Sequence, residues 1–151
     1  MSLHIALYQP DIPGNTGTIL RLGACLDIKV HIIGPAGFDL SDRALKRAGM
    51  DYLAQAALQR HEDWQTFFTT MRAEKHRILL FTTKGATPYT RFAFQNDDVL
   101  LFGRESAGVP EHVNNLADAR LTIPMKQTAR SLNLAMSVAM AAGEAIRQAD
   151  L

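Results

Sequence analysis

The sequence predicts a layered α/β fold, a mostly parallel sheet with helices on both faces. Two observations point there. Strand-like runs alternate with helical stretches along the whole chain, and those runs are rich in Ile, Leu and Val, as suits strands covered on both sides. No internal repeat, low-complexity tail or long linker breaks the pattern. With 151 residues the chain suits one domain, 1–151, and is short for two cores.

Leu3 to Tyr8 reads as the first strand, ending in the loop QPDIPGN. Asn15 or Thr16 is placed to cap the helix that follows, with Ile19, Leu22, Cys25 and Leu26 as its apolar face. Ile28 to Ile33 is a second strand, closed by GPAG. Ser41 caps a short charged helix through Arg47, and Gly49 ends it. After an ambiguous stretch, Asp63 or one of its neighbours begins a helix whose Trp64, Phe67, Phe68 and Met71 share one stripe, a pattern of core packing more than of an aromatic recognition platform.

Ile78 to Thr83 is a strong strand before the KGATP turn, and Val99 to Phe102 is another, ending at Gly103. Leu121 to Ile123 is the last, short strand. Ser131 then opens a long helix with Leu132, Met136, Ala139 and Met140 on its apolar side. Its Ala135, Ala142 and Gly143 permit close approach of another element.

Composition excludes several classes. With 47% hydrophobic and 21% charged residues, this is an ordinary globular composition. The single cysteine, Cys25, excludes a disulfide framework and any multi-cysteine metal site, and its apolar surroundings predict a packed thiol. The start, MSLHIALYQP, has no basic leader with an apolar core, and no run is long enough for a membrane span, so the cytoplasm is the expected compartment. The net charge of +1 does not announce a nucleic-acid binder, although a few local arginines suffice to hold phosphate. The five histidines show no HExxH pair or other close ligand spacing, so no metal is expected.

Ligands of parallel sheets gather at the carboxyl ends of strands. The loops after Tyr8, Phe102 and Ile123 meet that condition, and the loop after Thr83 is a fourth. LLFGRESAGVP has neither a dinucleotide fingerprint nor a P-loop. Gly103 lets a flat ligand approach the backbone, or simply makes a turn. Arg104 and Glu105 follow it at a ligand-facing position, where a solvated pair would read the same. Arg21, among small and apolar positions, offers a planar fork for phosphate, or lies on the helix's polar side. Asn133 and Ser131 suit helix capping as well as ligand contact. No GxSxG elbow or Cys–His pattern supports covalent hydrolysis.

Taken together, ALYQPDIPGNTGTILRLGACL, LLFGRESAGVP and IPMKQTARSLNLAMSVAMAAGEAIR resemble the three ordered motifs of the SPOUT class of RNA methyltransferases. The similarity is strongest to its small single-domain members that 2'-O-methylate a tRNA wobble pyrimidine, and KRAGMDY and TTKG also fit. It covers nearly the whole chain. It implies a C-terminal deep trefoil knot, rare among folds, and a homodimer whose interface lies beside that knot.

The resemblance implies S-adenosyl-L-methionine as cofactor and S-adenosyl-L-homocysteine as product. Phe81, Gly103, Ile123 and Ser131 would line its pocket, Met125 and Leu132 would add backbone contacts, and Thr82 and Gly108 would contribute further. Phe81 stands where relatives commonly have Leu, and GRESAGVP where they often have GPETRGLP. The implied substrate is nucleotide 34 of leucine tRNAs. Arg21 would be the central catalytic residue, with Asn15, Glu105 and Asn133 positioning it, the ribose or the cofactor. Arg130, Lys126 and Arg104 would contact RNA. Because a guanidinium stays protonated, the expected role of Arg21 is to hold phosphate and stabilise oxyanion charge. The competing readings are a 2'-O-methyltransferase for another RNA position, a non-catalytic RNA-binding protein of the same fold, and a plain nucleotide-binding module.

Overall fold

The computed structural model describes residues 2–47, 52–85, 87–127 and 132–149. Among these residues seven strands form one sheet: β1 (His4–Tyr8), β2 (Lys29–Ile33), β3 (Leu58–His61), β4 (Ile78–Phe81), β5 (Thr87–Pro88), β6 (Val99–Phe102) and β7 (Ala119–Thr122). Their order is β3-β2-β1-β6-β4-β7-β5, and every pairing is parallel. The α/β class with a parallel sheet is therefore as expected. Leu7 pairs with Phe102, Phe102 with Phe81, and Phe81 with Leu121, so the carboxyl ends of four adjacent strands lie in register.

Helices cover both faces because successive strand residues point in opposite directions. On one side, Leu79, Phe81, Leu100 and Phe102 pack with α1 (Pro13–Leu26) and α6 (Leu134–Gln148). On the other, Leu80, Val99 and Leu101 pack with Phe67 and Met71 of α4 (Trp64–Ala73) and Val113 of α5 (Glu111–Leu116). Two short helices, α2 (Asp42–Arg47) and α3 (Tyr52–Ala56), complete the described set. The return of α6 onto α1 and β6, after the chain has left β7, agrees with a knotted fold. The linking residues 128–131, with Arg130 and Ser131, lie outside the described residues, as does Gly49.

Several local expectations shift. Helix α1 starts at Pro13, whose fixed φ suits a first helical position, so Asn15 and Thr16 lie inside the first turn and no side chain caps it. Its buried face runs through Thr16, Gly17, Ile19, Leu20 and Gly23; Leu22 is half-buried, and Cys25 and Leu26 are exposed rather than packed. In α6 the buried stripe is Val138, Ala141, Ala142 and Ala145. Met136 and Met140 therefore face outward, with Ala139 and Gly143, and Leu132 lies before the helix. Helix α4 holds as expected: the Asp63 carboxylate accepts from the Thr66 N–H at 2.8 Å, and Trp64, Phe67 and Met71 are buried.

Candidate active site

A cavity of about 540 Å³ opens at the carboxyl ends of β4, β6 and β7. Its floor is made by strand ends. Phe81 and Phe102 stack with centroids 4.9 Å apart and are buried, so Phe81 offers the cavity its backbone more than its ring. Beyond β4 the Thr82 N–H donates to the Leu121 carbonyl, and the Lys84 N–H donates to the Thr82 hydroxyl at 3.2 Å, fixing that wall.

The second wall is the tight loop after β6. Arg104 and Gly108 exchange two backbone hydrogen bonds of 2.9 Å. Gly108 has φ +64, which favours glycine, and a Cβ on Gly103 would lie 2.6 Å from Gly108 backbone atoms. Both glycines are thus required by the turn. The loop presents Glu105 at the rim.

The third wall is the chain before α6. Asn133 is the N-cap of that helix: its side-chain oxygen accepts from the Ala135 N–H at 2.9 Å and the Met136 N–H at 3.4 Å. Its amide N–H donates to Asn15 Oδ1 at 3.1 Å. The Asn15 amide donates in turn to Glu105 Oε2 at 3.1 Å, while Glu105 Oε1 accepts from the Asp11 N–H at 3.2 Å. One directional chain of hydrogen bonds thus ties all three motif stretches together.

Phe81, Thr82, Gly103, Gly108, Ile123, Met125 and Leu132 all line this cavity, as do Asn15, Arg104, Glu105 and Asn133. Ser131 and Arg130 fall outside the described residues. Lys126 is exposed and not part of the wall, and neither is Arg21, which is exposed on α1. Among the described residues Arg21 forms no hydrogen bond or ion pair, so its guanidinium is uncommitted.

Sequence reasoning missed Asp11 and Ser106. The Ser106 hydroxyl donates to the Asp11 carboxylate, and Arg104 Nη2 lies 3.5 Å from it. Those contacts, the Ser106 hydrogen bond foremost, hold the Asp11 carboxyl below the usual carboxylate range. Arg104 is therefore partly engaged within its own loop cluster. The signal was an acidic residue in the first loop facing an arginine in the second.

The wall chemistry fits S-adenosylmethionine. The volume lies in the range of small-molecule sites. Apolar Ile12, Ile123 and Leu134 flank backbone peptide groups suited to a flat base, with Thr82, Asn133 and Ser137 as polar groups at the wall.

The model of the SpoU rRNA Methylase family matches residues 2–143. A tRNA (cytidine(34)-2'-O)-methyltransferase from Beijerinckia indica is 56% identical over 144 residues, covering 95% of this chain and 90% of that protein. A solved structure described as giving structural insights into the 2-OH methylation of C/U34 on tRNA superposes with a TM-score of 0.89 at 42% identity, covering 99% of this chain and 97% of that one. An AdoMet-bound rRNA methyltransferase from Sinorhizobium meliloti superposes with a TM-score of 0.85 at 28% identity, over 97% of this chain and 56% of that one. With the parallel sheet, the strand-end cavity and the three joined motifs, these likenesses place the chain in the SpoU methylase family of the SPOUT class.

Proposed function

We propose that this protein transfers a methyl group from S-adenosylmethionine to the ribose 2'-oxygen of the wobble pyrimidine, position 34, of leucine tRNAs. The observation behind this reading is the hydrogen-bond chain Asn133–Asn15–Glu105 at the rim of a backbone-walled cavity. The likeness to cytidine-34 2'-O-methyltransferases supports the substrate class.

When bound, S-adenosylmethionine supplies an electrophilic methyl on a sulfonium. Phe81, Gly103, Ile123, Met125, Leu132, Thr82 and Gly108 would hold it, with Ser131 beside them. The protein's own task is alignment. Asn15 and Asn133 each keep a second amide N–H beyond the one used in the chain, available to a ribose hydroxyl or phosphate oxygen. Glu105 keeps lone pairs for a donor on either ligand. The exposed guanidinium of Arg21 grips the phosphate next to the target ribose and stabilises charge growing on the 2'-oxygen. The hydroxyl proton leaves to that phosphate or to water as the carbon–oxygen bond forms and the carbon–sulfur bond breaks. Exposed Lys126, with Arg130 and Arg104, extends the phosphate-contacting surface.

The chain acts as one domain, 1–151, in the cytoplasm, as a homodimer. Large apolar side chains left exposed on the mutually packed α1 and α6 (Leu26, 43%; Met136, 63%; Met140, 43%) support pairing with a second copy. Among the described residues no helix is long and apolar enough to cross a membrane.

The test combines purified protein, labelled S-adenosylmethionine and total tRNA from a strain lacking the gene, followed by nucleoside mapping. Label in 2'-O-methylated nucleotide 34 of leucine tRNAs is the expected result. Label at another position removes the wobble assignment, and RNA binding without transfer removes catalysis.

A further inference from the structure

Four histidines with no close spacing in sequence meet on the α4 face of the sheet. His4 Nδ1 lies 3.0 Å from His31 Nε2, and His31 Nδ1 lies 2.8 Å from His61 Nε2. The His4 and His76 rings are 4.6 Å apart. His4 and His76 are buried, while Asp97 and Glu74 beside them are open to solvent.

Each nitrogen–nitrogen bond needs one N–H and one lone pair, so these contacts couple the tautomers. With His4 donating through Nδ1, its Nε2 turns a lone pair toward Asp97. His4 Nε2 and Asp97 Oδ1 stand 3.7 Å apart, too long for a hydrogen bond. It is close to the ~3.4 Å between two ligands of one tetrahedral ion with bonds of about 2.0–2.1 Å. His76 is arranged alike. Its Nδ1 lies 2.7 Å from the Asp97 backbone carbonyl, to which it donates, leaving Nε2 3.1 Å from the Glu74 carboxylate. A second nitrogen held by a carbonyl or another ring is how metal-binding imidazoles are oriented.

We propose that His4, His76 and Asp97 bind one divalent transition-metal ion of the zinc type, with water completing its coordination. Donor atoms of these three lie within 4.8 Å of one another. Two neutral imidazoles and one carboxylate are a donor set suited to such an ion, and the Glu74 carboxylate beside His76 adds negative charge nearby. The neighbouring Asp98 is already neutralised by Arg77, at 2.7 and 2.8 Å. Backbone bonds hold the segments in place: His4 N–H to Asp98 O, Asp97 N–H to Ser2 O, and His76 N–H to Met71 O. The ion would staple the amino ends of β1, β6 and β4, adjacent in the sheet and at its opposite end from the cofactor cavity. Its role is structural.

The full chain, stripped with EDTA, is titrated with Zn²⁺ and Co²⁺. The site predicts one ion per chain, the visible absorption of tetrahedral Co²⁺, and a raised Tm. His76→Gln and Asp97→Asn lose these responses while keeping the wild-type circular dichroism. His112→Gln, an exposed histidine elsewhere, keeps them. Methyl transfer by the metal-loaded and stripped proteins is equal. Absence of binding by folded wild-type protein, or equal binding by both cluster variants, overturns the proposal.

Discussion

Asn133 and Asn15, separated by 118 positions in the chain, share a 3.1 Å hydrogen bond at the mouth of the cavity. The bond ties a helix cap to the rim of the cavity. Asn133 accepts from the first turn of α6 with its oxygen and donates to Asn15 with its nitrogen, so its amide orientation is fixed from both sides.

Replacing Asn133 separates those two duties. Asn133→Ala is expected to lower stability by about 1 kcal/mol through loss of the cap and to reduce kcat. Asn133→Asp keeps a capping oxygen but loses the donor to Asn15, so stability returns and kcat does not. Urea midpoints and single-turnover methylation measure the two effects. Recovery of both in Asn133→Asp would show that the cap alone matters.

Arg21 predicts the opposite profile. It is exposed and uncommitted among the described residues, so Arg21→Ala changes stability by less than about 0.5 kcal/mol. Transfer falls by roughly 10²-fold or more, as when a charge-stabilising donor is removed, while cofactor affinity by calorimetry stays nearly unchanged. Wild-type turnover by this variant would remove Arg21 from the reaction.

Gly103→Ala forces a methyl to within 2.6 Å of the Gly108 backbone. The 103–108 loop must open, at a cost of about 1–3 kcal/mol. Cofactor affinity is expected to drop about tenfold or more, with kcat at saturating cofactor changed less. Titration calorimetry reads the loss directly.

Acid should destabilise the fold through the histidine row. Burial first, then the neighbouring His4 and His61, lowers His31 from 6.5 to about 3. Between those values the unfolded chain holds a proton that the folded chain refuses, so stability is complete above the window and lost as pH falls through it. The slope reaches at most about 1.4 kcal/mol per pH unit for this one group. His4 and His61 shift the same way, again chiefly through burial. Urea unfolding of EDTA-treated protein across that range measures the slope, and His31→Gln should flatten it.

Gln148 latches the end of α6. Its amide donates to the Phe92 carbonyl at 2.8 Å, and its oxygen accepts from the Phe94 N–H at 3.0 Å. Gln148→Ala leaves both backbone groups unpaired and should cost about 1–3 kcal/mol, seen as a lower urea midpoint with an unchanged m-value.

Legibility followed chain locality. Strands β1, β2, β4 and β6 were readable because their apolar runs are long and bounded by turn residues. Strand β3 was not: Leu58–His61 carries Gln59, Arg60 and His61 at a sheet edge, with no apolar period to detect. Strand β5 has two residues and helix α5 six, too little sequence for periodicity. The exposed side of α6 was mistaken for its buried one because methionines outweigh alanines in hydrophobicity, whereas close packing on α1 selects alanine. Motif resemblance found most of the cavity wall. It did not show the order of the hydrogen bonds, nor Asp11 and Ser106, since those depend on which loops meet. The histidines, 27 and 30 positions apart where they touch, form no motif at all; only parallel registration brings them together.

The Asn133 link also orders events during synthesis. Asn15 and Glu105 precede it in the chain and can meet as soon as β1 and β6 pair, but their partner Asn133 caps a helix made after both. A nascent or truncated chain that stops before α6 lacks the third wall of the cavity and the partner that orients Asn15.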